Sequence, residues 1–373
     1  MLNSPRQSKT FLHKQEGFWV YVAQNQICHR TFLLIDRSFL KAKIIKMEYR
    51  KLANTDLELS VITFGAWAAG GWMWGKTERT EAIKAIKAAY DSGVTSIDTA
   101  PIYGQGTSEE IVGEAIKSIP RDQVQILTKF GMNWSSNKGE FFFKSQDNNG
   151  KPIDIYKYAG KERVIKECED SLRRLGTDYI DLYQIHWPDK TTPVAETFEA
   201  VSRLIDQGKV RYAGVCNYSA VLMAEAGKTV KLVSNQIPFS MVHRGVEQET
   251  VPYCIENGKS VLAYSPMERG LLTGKITPGY QFQEGDHRAH NPYFSDESIL
   301  KTNAFLKKIK PIADDKGATL AQLVLRWTVE REGITIALAG ARNAIQSTQN
   351  AAAGELILTS EEVNFINQEV KKL

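Results

Sequence analysis

Cysteine is scarce in this 373-residue chain: Cys28, Cys168, Cys216 and Cys254 are the whole complement, and no two form a Cys-x-x-Cys pair. That usage argues against a disulfide framework and against a thiolate zinc site, and it suits a reducing cytoplasm. Long apolar runs are missing too; none approaches the ~20 residues that a spanning helix requires, so no membrane association is expected. Basic charge is not gathered into a stripe that would read nucleic acid. Residues 1–46 hold eight Lys or Arg against Glu16 and Asp36, more than the +4 excess of the entire chain, so the remainder is close to neutral. A Gly-x-Gly-x-x-Gly turn, a phosphate-binding Gly-x-x-x-x-Gly-Lys-Ser/Thr loop and a Gly-x-Ser-x-Gly elbow are all absent. Their absence weighs against a doubly wound dinucleotide fold, a nucleotide triphosphatase and a serine hydrolase. Of the six histidines only His287 and His290 are near neighbours, without a cysteine beside them, so no metal site is expected.

What is present begins at Met47. Residues 1–46 lack clear periodicity and read as a leader that is disordered or loosely attached, or as an over-extended start. Tyr49–Leu52 and Leu57–Ser60 flank Asn54-Thr55-Asp56 and predict an N-terminal β-hairpin. Strand-like runs follow near 61–67, 94–100, 124–130, 180–187, 210–217, 232–239, 260–266 and 335–341. Amphipathic segments fill the intervals, among them Arg79–Ser92, Ser108–Ser118, Lys161–Leu175, Val194–Gln207, Glu247–Asn257, Ile299–Lys316 and Leu320–Arg331. Ser108 ahead of Glu109-Glu110 reads as a helix start. Eight strands alternating with helices and no low-complexity linker predict one α/β domain over 47–373, a (β/α)8 TIM barrel. Two stretches break the rhythm, Gly131–Gly160 and Arg269–Ser298. Both follow the C-terminal end of a strand, the face on which such barrels build their sites, and both read as long loops.

Four polar residues fall on that face. Asp98, Lys129 and His186 lie near the ends of strands two, three and four, and Tyr103 follows Asp98 in the next loop. Singly, each has a structural explanation; together they form a set suited to carbonyl reduction. Hydride transfer to a carbonyl develops negative charge on oxygen, which calls for a proton donor and charge stabilisation. A tyrosine with an ordinary pKa of about 10 holds its proton too tightly, and a nearby ammonium favours the phenolate. Lys129 fits that role, Asp98 would hold Lys129 charged and oriented, and His186 would hydrogen-bond the substrate oxygen.

Asp98-Thr-Ala-Pro-Ile-Tyr103-Gly, Thr128-Lys129-Phe and Asp178-Tyr-Ile-Asp-Leu-Tyr-Gln-Ile-His186-Trp-Pro resemble motifs of the aldo-keto reductase family. Tyr264-Ser-Pro-Met-Glu-Arg-Gly-Leu-Leu-Thr-Gly-Lys275 and the stretch from Gly340-Ala-Arg342 to Gln349-Asn350 extend the likeness, which covers essentially Met47 to Leu373. The layout is similar to the branch of bacterial general-stress and inositol-type reductases and potassium-channel β subunits. The resemblance implies a catalytic tetrad of Asp98, Tyr103, Lys129 and His186, with Tyr103 as general acid/base. It implies NADPH bound without a Rossmann fold: Asn217, Gln236 and Tyr264 at the nicotinamide, and Ser265, Pro266, Met267, Gly270 and Lys275 along the pyrophosphate. Gly340, Arg342, Gln346, Gln349 and Asn350 would hold the adenosine end, and Arg288 would clamp the cofactor. Positive charge at Arg342 and Lys275 favours a 2′-phosphate, hence NADPH over NADH. Two departures stand out: Cys216-Asn217 where many relatives read Ser-Asn, and Gln349 where Glu is common.

Aromatic residues crowd the strand loops: Trp67, Trp72 and Trp74 after strand one, Trp134 and Phe141–Phe143 in the insertion, and Trp187 after His186. Trp67, Trp72 and Trp187 are the expected substrate-pocket residues, for a small aldehyde or ketone. The channel β subunits supply the alternative function, an NADPH-binding regulatory module with a protein partner and little turnover. The resemblance implies that those proteins have lost the active-site histidine, whereas His186 is retained here. Oligomeric state has no signature in the sequence.

Overall fold

Period-two alternation along each barrel strand decides which side chains enter the centre. In the computed structural model, which describes residues 47–75 and 77–373 together with two short strands near residue 15, eight parallel strands close into a barrel. The chain divides into two compact units, Met1–Ile44 and Ile45–Leu373. In the first, Lys14–Gln15 pairs antiparallel with Phe18–Trp19. The leader expected over residues 1–46 otherwise lies outside the described residues.

In the second unit, β1 (Tyr49–Lys51) and β2 (Glu58–Ser60) form the expected hairpin. The barrel strands are β3 (Ile62–Gly65), β4 (Ser96–Asp98), β5 (Gln125–Phe130), β9 (Ile180–Ile185), β10 (Val210–Cys216), β11 (Leu232–Pro238), β12 (Ser260–Tyr264) and β13 (Ile334–Ala339), each paired with the next and β13 with β3. All eight lie within the runs read from the sequence, to within a residue. Helices α1 (Arg79–Asp91), α2 (Thr107–Ile116), α3 (Lys161–Leu175), α4 (Val194–Asp206), α5 (Ala220–Ala226) and α6 (Thr250–Glu256) follow the first six barrel strands in turn. After β12 come α7 (Asp296–Asp315) and α8 (Leu320–Val329), and after β13 come α9 (Ala344–Ala351) and α10 (Ser360–Val370). No helix among the described residues is long and apolar enough to cross a membrane.

The barrel interior is layered. Leu127, Leu182, Val233, Leu262, Ile336 and Leu338 pack with Leu52, Leu57 and Leu59 of the β1–β2 hairpin, which plugs the N-terminal mouth. Two residues further along β5 and β9, the inward positions are Lys129 and Gln184, paired in register. Apolar filling therefore ends one layer below the site, and polar side chains begin there. Outward-facing Ile, Val and Phe residues of the strands bury against the helices.

Three local expectations need correction. Ser108 does not cap α2: the helix starts at Thr107 behind Gly106, and the buried Ser108 hydroxyl donates to Ala66 O at 2.8 Å. The stretch Gly131–Gly160 is an antiparallel sheet of β6 (Met132–Asn133), β7 (Glu140–Gln146) and β8 (Pro152–Lys157) rather than an irregular loop. Asp147-Asn-Asn-Gly150 turns β7 into β8, with Gly150 at φ 80° and Asp147 Oδ1 accepting from Asn149 N and Lys151 N. That turn and the alternation of Ile153 and Ile155 are ordinary hairpin signals, masked in the sequence by the run of aromatics. The short helix α5 and the terminal helices α9 and α10 were not expected; α10 carries a capping box at Thr359 and Glu362.

Truncating the plug tests the layering. Leu59 is fully buried, and Leu59→Ala is expected to cost about 2–5 kcal/mol of unfolding free energy. Urea denaturation checks this; a loss below about 0.5 kcal/mol would mean the hairpin is not part of the barrel core.

Candidate active site

At the C-terminal end of β4, Asp98 points inward and meets Lys129 from β5, with Nζ donating to Asp98 Oδ1 at 2.5 Å and to Thr99 O at 2.9 Å. Both side chains are almost wholly excluded from solvent. The second carboxylate oxygen accepts from Gln236 Nε2 at 2.8 Å and Gln184 Nε2 at 3.3 Å. The carboxylate is thus held from three neighbouring directions by strands β5, β9 and β11, and its geometry is fixed by the barrel rather than by loops.

Tyr103 reaches the same point from the β4–α2 loop. Its ring lies 5.0 Å from Lys129 Nζ and meets the His186 ring edge-on at 5.6 Å. Gly104 makes this approach feasible: at φ 68° a Cβ there would stand 2.5 Å from Gly70 O. His186 follows β9, its backbone N–H donating to Phe130 O at 2.9 Å, while its carbonyl accepts from Asn217 Nδ2 at 3.0 Å. Tyr264 Oη in turn donates to Asn217 Oδ1 at 3.0 Å.

Electrostatics differ in one respect from the sequence expectation. Burial pushes the Tyr103 phenol up, the Lys129 charge pulls it back, and the balance stands at about 12. The lowering expected from the ammonium is present but outweighed by loss of solvent. Burial pushes Lys129 down, yet Asp98 with smaller help from Tyr103 and Cys216 more than offsets it, and the ammonium lies above the ordinary lysine value. Burial first and the Lys129 charge second push His186 well below the ordinary histidine value, so its imidazole is neutral. Burial likewise raises the Cys216 thiol, which keeps it protonated.

These groups open onto one cavity of about 620 Å³. Asp98, Tyr103 and His186 line it, and Lys129 stands behind them. Along one arm run Asn217, Gln236, Tyr264, Ser265, Pro266, Met267, Gly270, Lys275 and Arg288, continuing to Gly340, Arg342, Gln346, Gln349 and Asn350. Trp67, Trp72 and Trp187 line it as well. Trp74, Phe142 and Phe143, named among the loop aromatics but not chosen for the pocket, also line the cavity, as do Met73, Met132 and Arg269, which were given no role. For Phe142 and Phe143 the signal was the β7–β8 hairpin pattern; for Arg269 it was its place inside the Tyr264–Lys275 motif.

Backbone after β12 is unusual. Ser265, Glu268 and Arg269 have φ of 54°, 42° and 53°, and Gly270 has 100°. Positive φ at three non-glycine residues within one five-residue stretch marks stored strain of the kind found at binding sites. The Nε of Arg269 is buried without a partner. Arg288 is already engaged, chelated by Asp286 with Nη2 to Oδ2 at 2.7 Å and donating to Arg269 O at 3.0 Å. Arg342 donates to Trp74 O and lies 5.7 Å from the Trp74 ring. His287 shares a 2.7 Å hydrogen bond from Nδ1 with Met73 O, so the loops after β3 and β12 meet across the cavity.

Comparison with known proteins places this arrangement. Residues 61–371 match the model of the aldo/keto reductase family. The chain is 39% identical to aldo-keto reductase YhdN of Bacillus subtilis over 86% of its own length and 93% of the relative's. It is 36% identical to the NADH-specific methylglyoxal reductase of Escherichia coli, covering 86% and 98%. Its fold superposes with a TM-score of 0.78 on glycerol dehydrogenase AKR11B4 from Gluconobacter oxydans, at 34% identity over 87% and 95% of the two chains. A barrel of this topology, with a match spanning nearly all of it, makes the chain a member of the aldo/keto reductase family.

Proposed function

We propose that the chain is an NADPH-dependent reductase of aldehydes or ketones, with Tyr103 as general acid/base and Lys129, Asp98 and His186 as its supporting set. Membership of the family makes it an oxidoreductase that uses a nicotinamide cofactor; the identity of the cofactor and the roles of residues are the proposal. The observation that carries it is the convergence of a buried ammonium, a phenol and a neutral imidazole on one point of the cavity wall.

The cavity suits an elongated anionic cofactor. An unpaired buried guanidinium nitrogen on Arg269, the strained turn from Ser265 to Gly270, and cations at Lys275 and Arg342 form a donor set for phosphates. Asn217, Gln236 and Tyr264 would hold the nicotinamide, the 265–275 turn the pyrophosphate, and Gly340 through Asn350 the adenosine. Arg288, already chelated by Asp286, would act as a cover over this arm more than as a phosphate ligand. When bound, the nicotinamide supplies or accepts the hydride at the carbonyl carbon.

The chain's own residues handle the oxygen and the proton. Neutral His186 donates a hydrogen bond to the carbonyl oxygen and orients it. Tyr103 passes its proton to that oxygen as negative charge develops, which is downhill because an alkoxide is more basic than a phenol of pKa about 12. The phenolate left behind is held by Lys129, whose charge Asp98 secures. Wall aromatics exclude water from this exchange. Buried, unpaired thiols at Cys168, Cys216 and Cys254 support a reducing compartment, the cytoplasm.

Tyr103→Phe is expected to lower kcat for aldehyde reduction roughly 10²-fold or more while leaving NADPH binding measurable. Nicotinamide absorbance with a panel of aldehydes reads the first and fluorescence titration the second. Tight NADPH binding with no turnover by the unmodified chain would instead favour the regulatory module.

The pH profile follows from the two shifted groups. His186 is neutral above a strongly depressed pKa and Tyr103 is protonated below about 12. Reduction should therefore show no inflection between about pH 6 and 9, and oxidation of the alcohol should rise with pH as phenolate accumulates. An inflection near the ordinary histidine value that vanishes in His186→Asn would overturn the neutral-imidazole assignment.

For the cofactor, NADPH should bind more tightly than NADH, and Arg342→Ala should weaken NADPH about ten-fold or more with little change for NADH. Equal loss for both would remove Arg342 from any contact with a 2′-phosphate.

A further inference from the structure

The β7–β8 hairpin is an insertion into the barrel, and nothing in the proton chemistry above calls for it. Its placement is specific. Trp72 Nε1, from the loop after β3, donates to Gln146 O at 3.0 Å and to Ser145 Oγ at 3.1 Å on β7. Asn148 Nδ2 at the hairpin tip donates to Gly70 O at 2.9 Å. The hairpin is therefore tied to the loop after β3 at two points, and among the described residues the two side chains make no other hydrogen bond.

That anchoring presents two rings to the cavity. Phe143 stacks on Trp72 at 6.2 Å, Phe142 meets Phe143 at 5.1 Å, and Phe142 packs on Trp187 at 5.2 Å. Phe142, Phe143, Trp72 and Trp187 all line the cavity beside His186 and Tyr103, with Met132 and Ile102 completing an apolar wall. Phe141, one residue earlier, is half exposed and packs on Tyr156 instead; β8 pairs Ile155 with Phe143 but Tyr156 with Phe141, so a bulge at Phe142 breaks the alternation and lets Phe142 and Phe143 both face the cavity. Lys157, whose Nζ lies 4.9 Å from the Phe142 ring, is ion-paired with Glu140 at 2.9 Å. The cations that line the cavity, Arg269, Lys275, Arg288 and Arg342, all belong to the segments that follow β12 and β13, the arm assigned above to the cofactor.

Resting on the reductase reading above, we propose that this hairpin selects the substrate. The chain acts on carbonyls borne by an aromatic ring or an extended apolar chain, and Phe142 and Phe143 are its specificity-determining residues. A ring or alkyl chain gains from leaving water against four aromatic faces. A short hydroxylated carbonyl would surrender hydration at the same wall without a matching set of donors, and a carboxylate would meet no unpaired cation there. Discrimination thus comes from both sides, attraction of one class and uncompensated desolvation of the other.

Steady-state kcat/KM with NADPH for benzaldehyde, hexanal, glyceraldehyde and glyoxylate tests this. Benzaldehyde and hexanal should exceed glyceraldehyde by about ten- to hundred-fold, the range expected for burying one or more apolar groups. In Phe142→Ser/Phe143→Ser that ratio should fall toward one, and Phe143→Leu should largely restore it for hexanal. Thermal melting of each variant separates lost folding from lost selectivity. A parallel fluorescence titration with benzamide, which is not reduced, should weaken in the double serine variant by a similar factor. Glyceraldehyde matching benzaldehyde in the unmodified chain, or a ratio unmoved in well-folded serine variants, would overturn the proposal. If no carbonyl is reduced at all, the reductase reading fails, and benzamide still decides the wall: binding lost in the serine variants retains it as an apolar seat, and binding unchanged ends it.

Discussion

The Asp98–Lys129 ion pair is the interaction on which the remaining site depends. Burying two charges inside a barrel is expensive, and a buried pair rarely contributes net stability over an apolar pair of the same size. Its worth here lies in position. Gln236 and Gln184 saturate the far oxygen of Asp98, Thr99 O takes a second proton of Lys129, and every one of these groups is on a barrel strand or directly after one. The ammonium therefore has almost no freedom. The fixed positive charge beside Tyr103 and His186 pulls the phenol down and pushes the imidazole further down, so one ion pair tunes both groups that face the cavity.

Rigidity and adaptability are divided along the barrel axis. Below the pair lies the leucine layer closed by the β1–β2 hairpin, which has no chemistry and fixes the strand ends. Above it, loops after β3, β5 and β12 make the cavity. They are not loose: the insertion after β5 is a sheet, and the loop after β3 touches the loop after β12 through Met73 and His287 and the loop after β13 through Trp74 and Arg342. A site of this kind keeps the proton chemistry on the strands, while the shape of the ligand space is left to segments that can change without disturbing the layer beneath.

The barrel was legible in the sequence because its strands are buried on both faces and read as compact β-branched runs between amphipathic helices. Asp98, Lys129 and His186 were legible only as a set, because each alone has a structural explanation while three polar residues at the ends of successive strands fall on one face. What was hidden came from contacts distant in sequence. Ser108 looks like a cap until Ala66 O is seen to take its hydroxyl, and Phe142 differs from Phe141 only through the register of β7 against β8. The rise of the Tyr103 phenol was equally unreadable, since the sequence shows the nearby lysine but not the loss of solvent that outweighs it.

The two departures from the family pattern fall into place differently. Cys216 is fully buried and its thiol is held protonated by burial, so it acts as a small apolar filler beside Lys129. The neighbouring Asn217 keeps the strained φ of 59°, bridging His186 O and Tyr264 Oη whichever small residue precedes it. At Gln349 the backbone carbonyl accepts from Gln322 Nε2 and ties α9 to α8, a bond that either residue would make. Exchanging a carboxylate for an amide at that position removes a negative charge from the arm that carries Arg342, and two cations, Arg288 and Arg342, already lie 5.0 and 5.7 Å from the Trp74 ring there. The arm is therefore more positive than one bearing a glutamate, and under the proposed cofactor placement its excess charge is of the sign that a further phosphate would neutralise.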